Sequence, residues 1–162
     1  MFSLERQQVK LADVNPRAER HGEEHVIAAD LKLEANMDNG CLAFFHPTLK
    51  SLLYFKDESV VNDLVDQIHE APNLRYKALG LPLKWTTEII GASVSVHTPV
   101  SGKDIELDMC GVNNFQLEPM EGGTVKLTFR VQAHPSERDL GKLCSMIQQD
   151  VEVSVTPPGE NA

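Results

Sequence analysis

The segment His21-Gly22-Glu23-Glu24-His25 has the residue types and spacing of a metallohydrolase motif, H-x-x-E-H. In such a motif two imidazoles one helical turn apart hold a zinc ion and a glutamate acts as the base. That chemistry needs a helix, because only there do positions i and i+4 share a face. Here Asn15-Pro16 precedes the motif, Gly22 lies inside it, and an alternating apolar and polar run starts directly after it. These neighbours predict a hairpin turn between two strands, and no metal site is expected.

The remaining chemistry-bearing residues form no better set. There is no G-x-S-x-G elbow, no P-loop and no G-x-G-x-x-G; Gly122-Gly123 alone is turn chemistry. The three cysteines, Cys41, Cys110 and Cys144, lack a neighbouring histidine and read as buried thiols, with Cys144 on the apolar side of a helix. His46, His69, His97 and His134 are scattered and read as structural residues. Asp104, Glu106 and Asp108 alternate along one strand and share its wet side, whereas a general acid needs a cleft. No enzymatic activity, cofactor or metal is expected. One basic and aromatic cluster, Arg75-Tyr76-Lys77 with Lys84-Trp85, has the types that stack single-stranded bases in a basic groove. The competing reading is an amphipathic strand with Trp85 turned inward.

The elements that must position these residues are mostly strands. Leu31, Leu33, Ala35 and Met37 alternate with polar residues, as do Ala92, Val94 and Val96, and Ile105, Leu107 and Met109. The last two runs flank Pro99-Val100-Ser101-Gly102-Lys103, a hairpin loop. A second hairpin joins Phe115 and Leu117, through Glu121-Gly122-Gly123, to a strand with Val125, Leu127, Phe129, Val131 and Ala133 on one side. Leu83 to Ile89 and Val151 to Val155 supply further strands. Phe44, Phe45, Phe55, Phe115 and Phe129 lie in apolar patterns and are assigned to the core.

Helical periodicity is confined to two places. Within residues 38 to 69, Asp38 can cap a short helix ended by Pro47, a second helix fits Thr48 to Phe55, and Val60, Val61, Leu64, Val65 and Ile68 form a helical stripe. Ser136 can cap a later helix carrying Leu140, Leu143, Cys144 and Ile147. About eight antiparallel strands, a helical insertion at 38–69 and one helix before the last strand predict a single mainly β domain over residues 1–162, an antiparallel β-sandwich.

The net charge of -9 is dispersed, with 9 basic and 13 acidic residues in positions 1 to 80 and 6 and 11 in the rest. Such a balance opposes binding to phosphate backbones and suits a basic protein surface. The N-terminus lacks the pattern of a signal peptide and no apolar stretch is long enough to span a membrane, so a cytoplasmic protein without membrane contact is expected.

Asn15-Pro16-Arg17-Ala18-Glu19-Arg20-His21-Gly22-Glu23, Ala28-Ala29-Asp30-Leu31, Pro47-Thr48-Leu49-Lys50, Gly122-Gly123-Thr124-Val125 and Phe129 through Pro135 together resemble a group of phage and prophage proteins of about this size. The likeness covers nearly the whole chain. Members of that group are encoded among early, DNA-metabolism or accessory genes, and the resemblance carries over no functional residue. It implies action by binding in the host cytoplasm, either to a host protein, such as a component of antiphage defence, or to phage recombination and replication machinery. Asp104, Glu106 and Asp108 would then face a surface that normally holds phosphate. The alternative is a phage single-stranded DNA-binding protein using Arg75, Tyr76, Lys77, Lys84 and Trp85, and a third is a virion structural component. Long strands with unpaired edges would also permit a homodimer.

Overall fold

Alternating sequence becomes strand nearly wherever it occurs, but the ladder of strands closes on itself. The computed structural model describes residues 1–57, 71–98 and 103–159. Among the described residues the strands are β1 (Leu4–His21), β2 (Glu24–Asp38), β3 (Tyr54–Phe55), β4 (Asn73–Leu74), β5 (Leu83–Trp85), β6 (Ile89–His97), β7 (Ile105–Pro119), β8 (Thr124–Ala133) and β9 (Asp150–Thr156). A 3-10 turn (Asn39–Phe44) and two helices, α1 (Leu49–Leu53) and α2 (Glu137–Ser145), complete the elements.

The strand order β7-β6-β9-β1-β2-β8, with β8 paired back to β7, is a closed six-strand barrel, and β5 joins β7 from outside. The mainly β expectation holds, while the sandwich is corrected to a barrel. Alternation reports that a strand has one buried face; it does not report which strands pair, and both architectures share that period. Closure depends on strand length and bending. β1, β2 and β7 run for 18, 15 and 15 residues. The register slips between Leu4 and Gln7 and between Leu11 and Asp13 in β1, and on both sides of Ala92 in β6. Bulges of this kind bend a strand and raise its twist. Two of them face each other, where Gly91 at φ 88 and Met109 at φ 54 interrupt the β6–β7 ladder. Each barrel strand has a neighbour on both sides in the strand order, and β1 divides its length between them, meeting β9 over Leu4–Lys10 and β2 over Lys10–His21.

The chain divides into two compact units, residues 2–35, 86–115 and 128–162 in one, and residues 1, 36–85 and 116–127 in the other. The first holds β1, β6 and β9 whole and most of β2, β7 and β8. Its interior is apolar, and Phe2, 3% exposed, meets Phe115 and Phe129 edge-on at 5.0 and 5.3 Å between ring centroids. Gln148 and Gln149 exchange backbone hydrogen bonds with Leu11, which anchors the start of β9 beside the β1 bulge. Ser136 caps α2 by accepting from the Asp139 N–H at 3.1 Å, as its sequence predicts. The turn between β1 and β2 falls at Gly22-Glu23, with Gly22 at φ 67, so the H-x-x-E-H residues are a hairpin and not a helix.

The second unit contains the 3-10 turn, whose first residue is preceded by the capping side chain of Asp38, and α1 after Thr48. The Tyr54 hydroxyl, 1% exposed as a residue, donates to the Met120 and Thr124 carbonyls at 2.8 and 3.1 Å. Glu121 accepts from Asn73 Nδ2 and the Leu74 N–H, which ties the β7–β8 turn to β4. The stripe Val60, Val61, Leu64, Val65 and Ile68, His69, and the loop Pro99 to Gly102 lie outside the described residues. Among the described residues no helix is long and apolar enough to cross a membrane.

Two core assignments change. Phe44, Phe45 and Phe55 are half-buried, whereas Phe115 and Phe129 are fully inside. Cys144, expected in the core, is exposed, because α2 turns Leu143 inward and the next position, about 100° around the helix, to solvent. Cys41 and Cys110 are buried, and burial pushes their thiols up to about 12 and about 11. One thiol of three should therefore react rapidly with an aromatic disulfide at pH 8, and Cys144→Ser should abolish that phase, with all three reacting in denaturant. Phe129→Ala should cost about 3–5 kcal/mol in urea unfolding, because its removal opens a cavity beside Phe2 and Phe115.

Candidate functional site

The outward face of β7, β6, β9 and β1 carries Asp104, Glu106 and Asp108 together, as the alternation predicts, and the structure gives each a partner on β6. The register pairs Ser95 with Glu106 and Val96 with Ile105, which brings His97 opposite Asp104. Ser95 Oγ donates to Glu106 Oε2, Ser93 Oγ donates to Asp108 Oδ1 at 3.4 Å, and His97 Nδ1 lies 2.8 Å from Asp104 Oδ2. The Asp104 carboxyl is held below the usual carboxylate range, chiefly by His97 and further by the Thr98 N–H. On the other side of β6, His97 pairs with Glu152 and Ser95 with Ser154 in β9. Arg6 at the β1 bulge bonds Glu152 at 3.1 Å. Between these residues lies a cavity of about 420 Å³ lined by Arg6, His97, Asp104, Asp150 and Glu152, among others.

His97 also has its Nε2 2.7 Å from Ser154 Oγ, so Asp104, His97 and Ser154 stand in series. An acid, an imidazole and a hydroxyl in that order are the parts of a nucleophile relay. The Ser154 Oγ also accepts the Arg6 backbone N–H at 3.0 Å, which ties the series to β1. Together these contacts make a polar knot across β1, β9, β6 and the start of β7. His97 read alone gave no sign of this role. The signal was the cross-strand register, which sets His97 beside Asp104 across one hairpin and beside Ser154 across another ladder.

The basic and aromatic residues of the second unit are partly committed. Arg75 donates to the Ser51 and Tyr54 carbonyls, both at 3.3 Å, and sits 5.5 Å over the Phe55 ring. It thus serves the C-terminal end of α1, where a cation is favourable. Trp85 is half-buried and meets Phe45 edge-on at 5.8 Å. Tyr76, Lys77 and Lys84 are exposed.

A third constellation was not anticipated. Glu19 Oε2 lies 3.1 Å from His21 Nε2 and 2.8 Å from His134 Nε2, while its other oxygen bonds Arg17. Arg17 in turn holds Asp30 through Nε at 3.2 Å. His134, then His21, then Arg17 pull the Glu19 carboxyl down to about 2. Nothing in the sequence relates His134, just past β8, to Glu19 and His21, because the contact is 115 residues long. Comparison of the chain with protein-family models, curated proteins and solved structures finds no match.

The polar knot predicts an acid sensitivity. A carboxyl whose pKa is lowered on folding adds stability above its unfolded pKa, and that contribution is lost as pH falls through the folded value. Stability measured by urea unfolding should therefore decline as pH falls below about 4, and Asp104→Asn should flatten that decline. His97→Ala, which strips partners from Asp104 and Ser154, should cost about 1–3 kcal/mol at pH 7.

Proposed function

We propose that this chain acts by binding, as a non-enzymatic accessory protein of phage type, and that the outward face of β7, β6, β9 and β1 engages a basic protein surface. The observation that carries the reading is the anchoring of Asp104, Glu106 and Asp108 by His97, Ser95 and Ser93. Carboxylates already fixed by neighbours lose less conformational freedom when a partner arrives, which favours binding over mere solubility. Asp150 and Glu152 extend the same face through β9, against Arg6 and Lys10 as its cations. At the double bulge, Ile90 and Met109 are each 74% exposed, giving the acidic rows an apolar neighbour able to anchor an interface.

A surface built this way repels nucleic acid and fits proteins that hold it. A host antiphage defence complex that handles nucleic acid is accordingly the partner class that we favour. Single-stranded DNA is the competing ligand, with Tyr76, Lys77 and Lys84 exposed to meet it and Arg75 and Trp85 already engaged within the unit.

The test compares the wild type with Asp104→Asn/Glu106→Gln/Asp108→Asn in pull-downs from host lysate at low and moderate salt, alongside gel shifts with single-stranded oligonucleotides. A captured host protein should bind the triple variant at least about tenfold more weakly and release from the wild type as salt rises. Capture unchanged in the triple variant would count against the acidic face. Salt-sensitive oligonucleotide binding that drops on Lys84→Ala and Trp85→Ala would replace the reading with the DNA-binding one.

A further inference from the structure

We infer that Glu19, His21 and His134 form a binding site for a borderline divalent transition metal, zinc above all, on the hairpin arm of β1 and β2. The ligand atoms of these three residues all lie within 4.8 Å of one another. Two imidazole nitrogens and a carboxylate oxygen are the donor set that zinc accepts, and they are too soft and too few for magnesium or calcium.

The carboxylate-to-imidazole distances fit a cation with small movements, and the two imidazole nitrogens already lie within 4.8 Å of each other. Tetrahedral zinc with ordinary bond lengths places neighbouring nitrogen and oxygen ligands about 3.4 Å apart. The two Nε2 atoms stand 2.8 and 3.1 Å from Glu19 Oε2, so each contact needs to open by only a few tenths of an ångström. All three side chains reach solvent, at 26% exposure for Glu19, 58% for His21 and 43% for His134, which leaves both an approach and an open coordination position. The surrounding charges permit a cation. Arg17 is balanced by Asp30, Glu19 remains, and Glu24 stands directly across the ladder from His21. The chain Asp30–Arg17–Glu19 also fixes the carboxylate, as outer hydrogen bonds do for metal ligands elsewhere.

The site reuses one residue of the H-x-x-E-H segment in a different geometry. Glu19 and His21 are two apart in a strand and share a face. His25 pairs with Arg20, one position out of phase, and so belongs to the opposite face. His134 supplies the second imidazole instead. A bound ion would thereby clamp the hairpin arm to the end of β8.

Zinc titrated into tag-free protein, followed by calorimetry and by NMR of the imidazole groups, should show one equivalent bound with the His21 and His134 signals moving together. His21→Ala, His134→Ala and Glu19→Gln should each weaken binding at least about tenfold, while His25→Ala stays within about twofold of the wild type. Magnesium should produce no shift. Absence of saturable zinc binding up to about 1 mM would overturn the site, as would His25→Ala weakening binding as much as His134→Ala. Should a variant lose its β circular dichroism spectrum, the wild-type histidine shifts decide by themselves: His21 with His134 supports the site, and any other pair refutes it.

Discussion

Closure of the β7–β8 ladder is the constraint on which the remaining features of the barrel depend. Once the strand order closes, each barrel strand lies between two neighbours, and side chains sort into inside and outside. The inside is small enough to be filled by side chains, and Phe2, Phe115 and Phe129 occupy part of it as mutually edge-on or stacked rings. Three of the positive φ values, at Arg6, Gly91 and Met109, fall at bulges in the barrel ladders.

The same sorting produces the outer face. Residues that alternate with the core on four neighbouring strands have no choice but to stand side by side, so carboxylates from β7 meet hydroxyls and an imidazole from β6, and these meet β9. Bulges then modify the pattern locally. At Asp108 and Met109 two successive residues point outward, which sets a large apolar side chain beside an acidic row. At Arg6 the bulge aims a backbone N–H at Ser154 and a guanidinium at Glu152. Irregular backbone therefore supplies both of the departures from a plain solvated surface.

Local features of this architecture were legible in the sequence, and long-range ones were not. Val125 to Ala133, Leu31 to Ala35 and the Ser136 cap could be read from period and capping chemistry, since each depends on residues within one element. The hairpin nature of His21 to His25 was legible for the same reason. Barrel closure, the Asp104–His97–Ser154 series and the Glu19–His21–His134 cluster depend on which strands adjoin, and hydrophobic period carries no record of that. Cys144 shows a smaller limit: a helical stripe locates an apolar side to within about a residue, and one step around α2 separates buried Leu143 from exposed Cys144.

The pairing of β1 with both β2 and β9 has a consequence for how the protein is made. Its hairpin with β2 is local and can form once both strands have left the ribosome, but its Leu4–Lys10 stretch is paired only when β9 follows, as the 148-residue separation of Arg6 and Ser154 records. Until then the nascent chain exposes an unpaired strand whose inner side is apolar. The acidic face is likewise incomplete until β9 is made, for Glu152 and Ser154 lie in that strand, so the face and the pairing of the first part of β1 are completed together.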